Sequence, residues 1–171
     1  MKFLVLLLFP VLSFSQSKLD TVSLLSGKVK MLAPKDLSEM SEQTWVIKYH
    51  TNVKPMLVLS DENAEVNLIA DMTQQALEES QLTQYKDFRI EQLKKSHPEL
   101  TMIDNGIKTI NGKKVGYVKF ITQATDQKIF NYYFFTLVSG KVLFFTFNCI
   151  QSLRNTWEIT ADKMVASITI K

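Results

Sequence analysis

The residues that could carry acid–base, nucleophilic or metal chemistry are few and scattered. His50 and His97 are the two histidines, and neither has a second His, a Cys or a paired carboxylate at ligand spacing. A metal site needs three or four converging donors. Both histidines therefore read as partners for the negative ends of the helical stretches they follow. Cys149 is the only cysteine and lies in an apolar run, FFTFNCI over 144–150. It reads as a buried small hydrophobe, and one cysteine cannot form an intrachain disulfide. Asp61, Glu62, Glu65 and Asp71 gather around one turn without the regular spacing of a calcium loop. The glycines, Gly27, Gly106, Gly112, Gly116 and Gly140, form no phosphate-cradling loop, and no Gly-x-Ser-x-Gly elbow presents a serine. Residue types and spacings thus point to no catalytic set, no metal and no cofactor.

What remains is side chains that could bind. Phe130, Tyr132, Tyr133, Phe134, Phe135, Phe144, Phe145 and Phe147 crowd two neighbouring segments. Their first reading is core. Their functional reading is a wall of an apolar pocket, or a partner-binding face anchored by the amphipathic Tyr132 and Tyr133. Trp45 joins them as a third candidate contact, an exposed anchor on its helical stretch, although a helix-to-sheet core contact is the simpler expectation.

The elements that must position these residues follow from punctuation and periodicity. Short strands are expected at 22–25 and 28–32, joined at Ser26-Gly27, and Pro34 ends the second. Asp36 and Glu39 have capping-box spacing, predicting a helical stretch to about His50. Strands at 56–60 and 65–72 turn through Asp61–Asn63. A helix over 80–96 carries Leu82, Tyr85, Ile90 and Leu93 on one stripe and stops at Pro98. Asn111-Gly112 joins strands 101–110 and 113–122, the strongest short hairpin signal because both turn positions need φ > 0. Ser139-Gly140 joins 129–138 to 141–150 in the same way. A last helix over 156–167 is opened by Asn155 and Glu158 at capping-box spacing, with Trp157, Ala161, Met164, Val165 and Ile168 on one face.

Strand 129–138 decides the architecture. Phe130, Tyr132, Phe134 and Val138 lie on one side; Ile129, Tyr133, Phe135 and Leu137 lie on the other. An antiparallel strand apolar on both sides must be covered on both sides. A mainly antiparallel central sheet with helices on each face, an α+β three-layer α/β/α sandwich, meets that demand. The rival is a curved sheet closing over one helix, which would enclose a pocket.

Compartment comes from the first residues. Lys2, the apolar stretch 3–12, and Ser13 and Ser15 at −3 and −1 read as a signal peptide over 1–15. The stretch is shorter than the ~20 residues that span a membrane, and no later apolar run is long enough, so no membrane span is expected. A flexible lead-in over 16–21 and one domain over 22–171 follow. The protein is expected to be exported, periplasmic or secreted, and soluble. The net charge of +3 is small, and Arg89 and Arg154 are the only arginines among 20 basic residues. Phosphate forks and guanine readers favour Arg, so nucleic acid is not an expected partner.

The element order β-β-α-β-β-α-β-β-β-β-α resembles the PsbP-like superfamily. The resemblance covers residues 22–171 and is carried by LAPKD over 32–36, VNLIA over 66–70, the hairpin INGKKVGY over 110–117, and MVASI over 164–168. These are structural signatures, convincing through their order. The family includes the extrinsic PsbP subunit of photosystem II, a GTPase-binding nuclear-import factor and many bacterial envelope proteins. The resemblance implies a non-catalytic module that binds protein partners, here another envelope protein. It carries over no catalytic residue. The alternative is a carrier of a small apolar ligand held between sheet and helix.

Overall fold

Two turns in which both central residues have positive φ lay down the centre of the fold. Asn111 (48°) and Gly112 (77°) close one hairpin, and Ser139 (52°) and Gly140 (76°) close the next. This turn twist matches that of the flanking strands, so each hairpin forms in a single register. The computed structural model describes residues 18–171. The stretch 1–15 read as a signal peptide and the first two residues of the expected lead-in lie outside the described residues.

The elements in chain order are β1 (Leu19–Leu24), β2 (Val29–Pro34), β3 (Ser38–Glu39), α1 (Glu42–Tyr49), β4 (Leu57–Ser60), β5 (Val66–Ala76), α2 (Leu82–Ser96), β6 (Thr101–Ile110), β7 (Lys113–Gln123), β8 (Lys128–Val138), β9 (Lys141–Ile150), α3 (Arg154–Ala166) and β10 (Thr169–Ile170). A seven-stranded sheet runs β3-β4-β5-β9-β8-β7-β6, and a three-stranded sheet runs β1-β2-β10. Every pairing in both is antiparallel.

β8 lies between β7 and β9, and its side chains are buried on both faces. On one face Phe134 stacks on Phe145 at 4.7 Å between ring centroids. On the other, Phe135 stacks on Phe144 at 5.8 Å and takes the edge of Tyr85 at 4.9 Å. The first face is covered by α3, through Ala161, Met164 and Val165, and by β2, through Val29, Met31 and Ala33. The second is covered by α2, through Leu82, Tyr85 and Leu93, and by α1, through Trp45. The three layers are those expected of a PsbP-like α+β sandwich. The cover on the α3 side includes a small second sheet as well as the helix.

Local readings shift in three places. β1 starts at Leu19, inside the stretch read as a lead-in, because Leu19–Thr21 pair with Leu32–Pro34 of β2. Residues 36–40 are not helical. Ser38 and Glu39 pair with β4, and the Met40 N–H donates to the Val58 carbonyl at 2.9 Å. The helix begins after Ser41, whose Oγ accepts from the Thr44 N–H at 3.1 Å. Asn155 does not cap α3, because the helix already starts at Arg154 after Leu153, and the Glu158 carboxylate is held instead by Lys119 and Arg154.

The tightest point of the sheet is Gly116, directly opposite Phe135. A Cβ there would stand 2.3 Å from the Phe135 ring. Gly116→Ala is expected to destabilise the fold by about 3 kcal/mol, the upper range for overpacking a filled core. Urea denaturation measures this loss. The double variant G116A/F135L should recover part of it, because the smaller side chain vacates that space.

Candidate functional site

Trp45, Tyr132 and Tyr133 do not form one site. Trp45 points inward from α1, 6% exposed, against Met40 and Val58, and its ring stacks on Tyr49 at 4.2 Å. Its neighbours Val46 and Ile47 face outward instead. Tyr132 and Tyr133 are successive residues of one strand, so they project from opposite faces of the sheet. Tyr133 packs edge-on against Phe120 and Phe144. Tyr132 is fully buried, and the Lys119 ammonium lies 4.6 Å from its ring centroid. Burial first, then the Asp162 carboxylate, pushes the Tyr132 phenol well above its ordinary range.

Lys119 is an ionic lock between β7 and α3. Its Nζ donates to Asp162 at 2.8 Å and to Glu158 at 3.0 Å, and Arg154 Nε reaches Glu158 at 2.7 Å. Burial pulls the Lys119 pKa down, but the hydrogen bonds to Asp162 and Glu158 outweigh it and leave the group above its ordinary value. For Glu158, burial raises the pKa, and hydrogen bonds from Lys119 and Arg154 carry it below the ordinary carboxylate value. Every charge here is answered, which is a structural arrangement. Cys149 is fully buried, and burial pushes its thiol up to about 12, so it stays protonated and unreactive. No three metal-ligating side chains come together among the described residues.

The polar site that the fold builds lies on the α1/α2 side of the sheet. Asn67 of β5, Asn148 of β9 and Asn131 of β8 stand directly opposite one another across three adjacent strands. Asn67 Nδ2 donates to Asn148 Oδ1 at 2.8 Å and to the Ala64 carbonyl at 3.1 Å. Asn131 Nδ2 donates to Thr122 Oγ1 of β7 at 3.0 Å. The row floors a cleft of about 520 Å³, walled by Lys48 and Tyr49 at the end of α1 and by the β7–β8 turn; no residue of α2 lines it. That volume falls within the range of small-molecule sites, roughly 300–1,000 Å³.

Two buried polar atoms at this cleft have no hydrogen-bond partner, the Tyr49 hydroxyl and Asn67 Oδ1. Burial raises the Tyr49 pKa, offset in part by the nearby Asn148 side chain, although the two form no hydrogen bond of normal geometry. The Lys48 ammonium at the rim donates to the Ala64 carbonyl. Burial lowers the Lys48 pKa against the opposing pull of Asp61 and Glu65, so the rim carries compensated charge. Carboxamides donate and accept hydrogen bonds but do not titrate in the working pH range. This row can hold a ligand; it cannot move a proton. The sequence carries a trace of it, one Asn breaking each of the runs 66–70, 129–135 and 142–150. Only the strand register shows that the three meet.

No family model matches the chain, and no curated protein matches it. Solved structures do. Cyanobacterial PsbP (CyanoP) from Synechocystis sp. PCC 6803 is similar at TM-score 0.64 and 12% identity, over 93% of this chain and 96% of that one. The Ran-binding protein Mog1p of Saccharomyces cerevisiae is similar at TM-score 0.60 and 10% identity, over 91% and 96%. LpqN, involved in cell envelope biogenesis of Mycobacterium tuberculosis, is similar at TM-score 0.60 and 12% identity, over 90% and 91%. At these identities the likeness establishes a PsbP-like fold. None of the described helices is long and apolar enough to cross a membrane.

The ionic lock sets a pH window. Glu158 is depressed in the folded state, so its contribution is present above the ordinary carboxylate pKa and is lost as pH falls through the lower folded value. Lys119 is raised, so its contribution is present below the ordinary lysine pKa and is lost as pH rises through the higher folded value. Urea midpoints across acid pH should therefore fall more steeply for the natural protein than for Glu158→Gln. Lys119→Met should lose about 1–3 kcal/mol at neutral pH, less than a fully enclosed pair because water reaches Asp162.

Proposed function

We propose that this chain is an exported, non-catalytic accessory protein of the cell envelope that acts by binding another envelope protein. The observation that carries the reading is the chemistry of its built polar site. That site is a row of neutral carboxamides with Lys48, Tyr49 and Glu65 at its margin, and no three metal-ligating side chains gather there among the described residues. The one thiol is buried and held protonated. A leader-like segment over 1–15 supports export, and a fold shared with a Ran-binding protein and an envelope-biogenesis protein supports an accessory role.

A protein partner is favoured over an apolar small ligand. Phe130, Phe134, Phe135, Phe145 and Phe147 are fully buried against neighbouring side chains, so they wall no pocket for such a ligand. In contrast, Val46, Ile47, Val53 and Met56 stand exposed on α1 and the segment leading to β4. Phe88 and Ile159 are exposed singly on α2 and α3, whereas these four fall within eleven residues of one another, and contiguous exposed apolar surface marks interaction sites.

Site-specific photo-cross-linking in native envelopes tests this. A probe at Ile47 should trap one reproducible protein species, and a probe at the exposed Lys95 of α2 should not. No species at Ile47 at any salt concentration, or the same species from both positions, would count against it.

A further inference from the structure

The asparagine row poses a physical question that the partner-binding reading leaves unanswered. Asn67 is 1% exposed, yet its Oδ1 has no donor, and the buried Tyr49 hydroxyl is likewise unmatched. Leaving a buried polar atom unsatisfied costs about 1–3 kcal/mol. Trp45 Nε1, Arg89 Nε and the Tyr132 hydroxyl are also unmatched, none of them on a residue that lines this cleft, whereas Asn67 and Tyr49 line it together. A molecule seated there must bring donors for Asn67 Oδ1 and a partner for the tyrosine hydroxyl. It must also lie against an apolar wall, since Ile129 and Ile150 line the cleft beside the amides. It has little need of charge, because the Lys48 ammonium is already met by the Ala64 carbonyl and by the carboxylates of Asp61 and Glu65. A free strand edge for an added peptide is absent here, because β5, β9, β8 and β7 are paired on both sides.

We infer that the cleft between α1 and the Asn67–Asn148–Asn131 row binds a small neutral polyhydroxyl ligand, a saccharide, whose hydroxyls satisfy the amides and whose C–H face rests on the isoleucines. The assignment rests on the reading that this site binds and does not react. It is independent of which protein docks at α1.

The test follows the side-chain amide resonances of Asn67, Asn131 and Asn148 in the purified protein during titration. The probes are glucose, galactose, mannose and N-acetylglucosamine with their disaccharides, and, separately, glycylglycine and inorganic phosphate. At least one neutral saccharide should shift Asn67 and Asn148 saturably, while phosphate and glycylglycine leave them unmoved. Tyr49→Phe keeps the ring and its stack on Trp45, so thermal stability should hold while binding weakens about three- to tenfold, the worth of one hydrogen bond. Should Tyr49→Phe disturb α1, Thr122→Val provides a second variant: it removes the acceptor of Asn131 Nδ2, so saccharide affinity should change measurably while the fold holds. The assignment is overturned if no saccharide moves these resonances, if only phosphate or glycylglycine does, or if the folded variants bind as tightly as the natural protein. A blank titration with a positive cross-link at Ile47 would remove the saccharide and leave the accessory role standing.

Discussion

The fold depends on one constraint: β8 carries aromatic rings on both of its faces, and all of them must leave water. Burying a ring of this size contributes about 1.5–3 kcal/mol relative to exposure. A sheet left bare on either side would forfeit much of that across Phe130, Phe134, Phe135, Phe145 and Phe147. The rest of the chain answers the demand. α2 and α1 close one face, and α3 closes half of the other. The remainder is closed by β2, held in place by β1 and by the final strand β10. Gly116 shows how full the interior is, since its missing Cβ makes room for the Phe135 ring.

Filling the middle of the sheet with rings moves polar chemistry to its margins, and two polar groupings result. They differ in kind. Lys119, Glu158, Asp162 and Arg154 are charged and mutually satisfied, so they fix α3 on the sheet and have little capacity left for a ligand. The asparagine row is neutral and incompletely satisfied, and a cleft opens beside it. Interiors seldom leave polar atoms unmatched; Trp45 Nε1, Arg89 Nε and the Tyr132 hydroxyl are unmatched elsewhere, and among the described residues only at the asparagine row do two such atoms belong to side chains that line one cleft. The same contrast separates a module that recognises from one that reacts.

Much of this was legible in the residues. The two hairpins at Asn111-Gly112 and Ser139-Gly140 follow from turn chemistry alone. The double-faced β8 dictated the layering before any contact was visible. Three features were not readable. β3 and the paired ends of β1 depend on long-range strand pairing, which overrode the helix-cap signal at Asp36. Trp45 could be placed on a helix but not oriented, because an eight-residue helix with Val46 and Ile47 beside it has no clear apolar stripe. The asparagine row required register: each Asn is an isolated interruption in sequence, and only the pairings Asn67 with Asn148 and Asn148 with Asn131 turn three interruptions into a surface.

The asparagine row is kept either for what it binds, as we infer, or for what it holds together. Replacing the directly bonded pair by valine, in N67V/N148V, separates the two. Valine suits a strand, removes the unmatched Asn67 oxygen, and leaves the Ala64 carbonyl its Lys48 donor. Removing both partners of a buried hydrogen bond is close to neutral or stabilising. The urea midpoint of N67V/N148V should therefore equal or exceed that of the natural protein. A loss of more than about 2 kcal/mol, well beyond that expectation, would show that the amides hold the sheet together, and the binding account would fail.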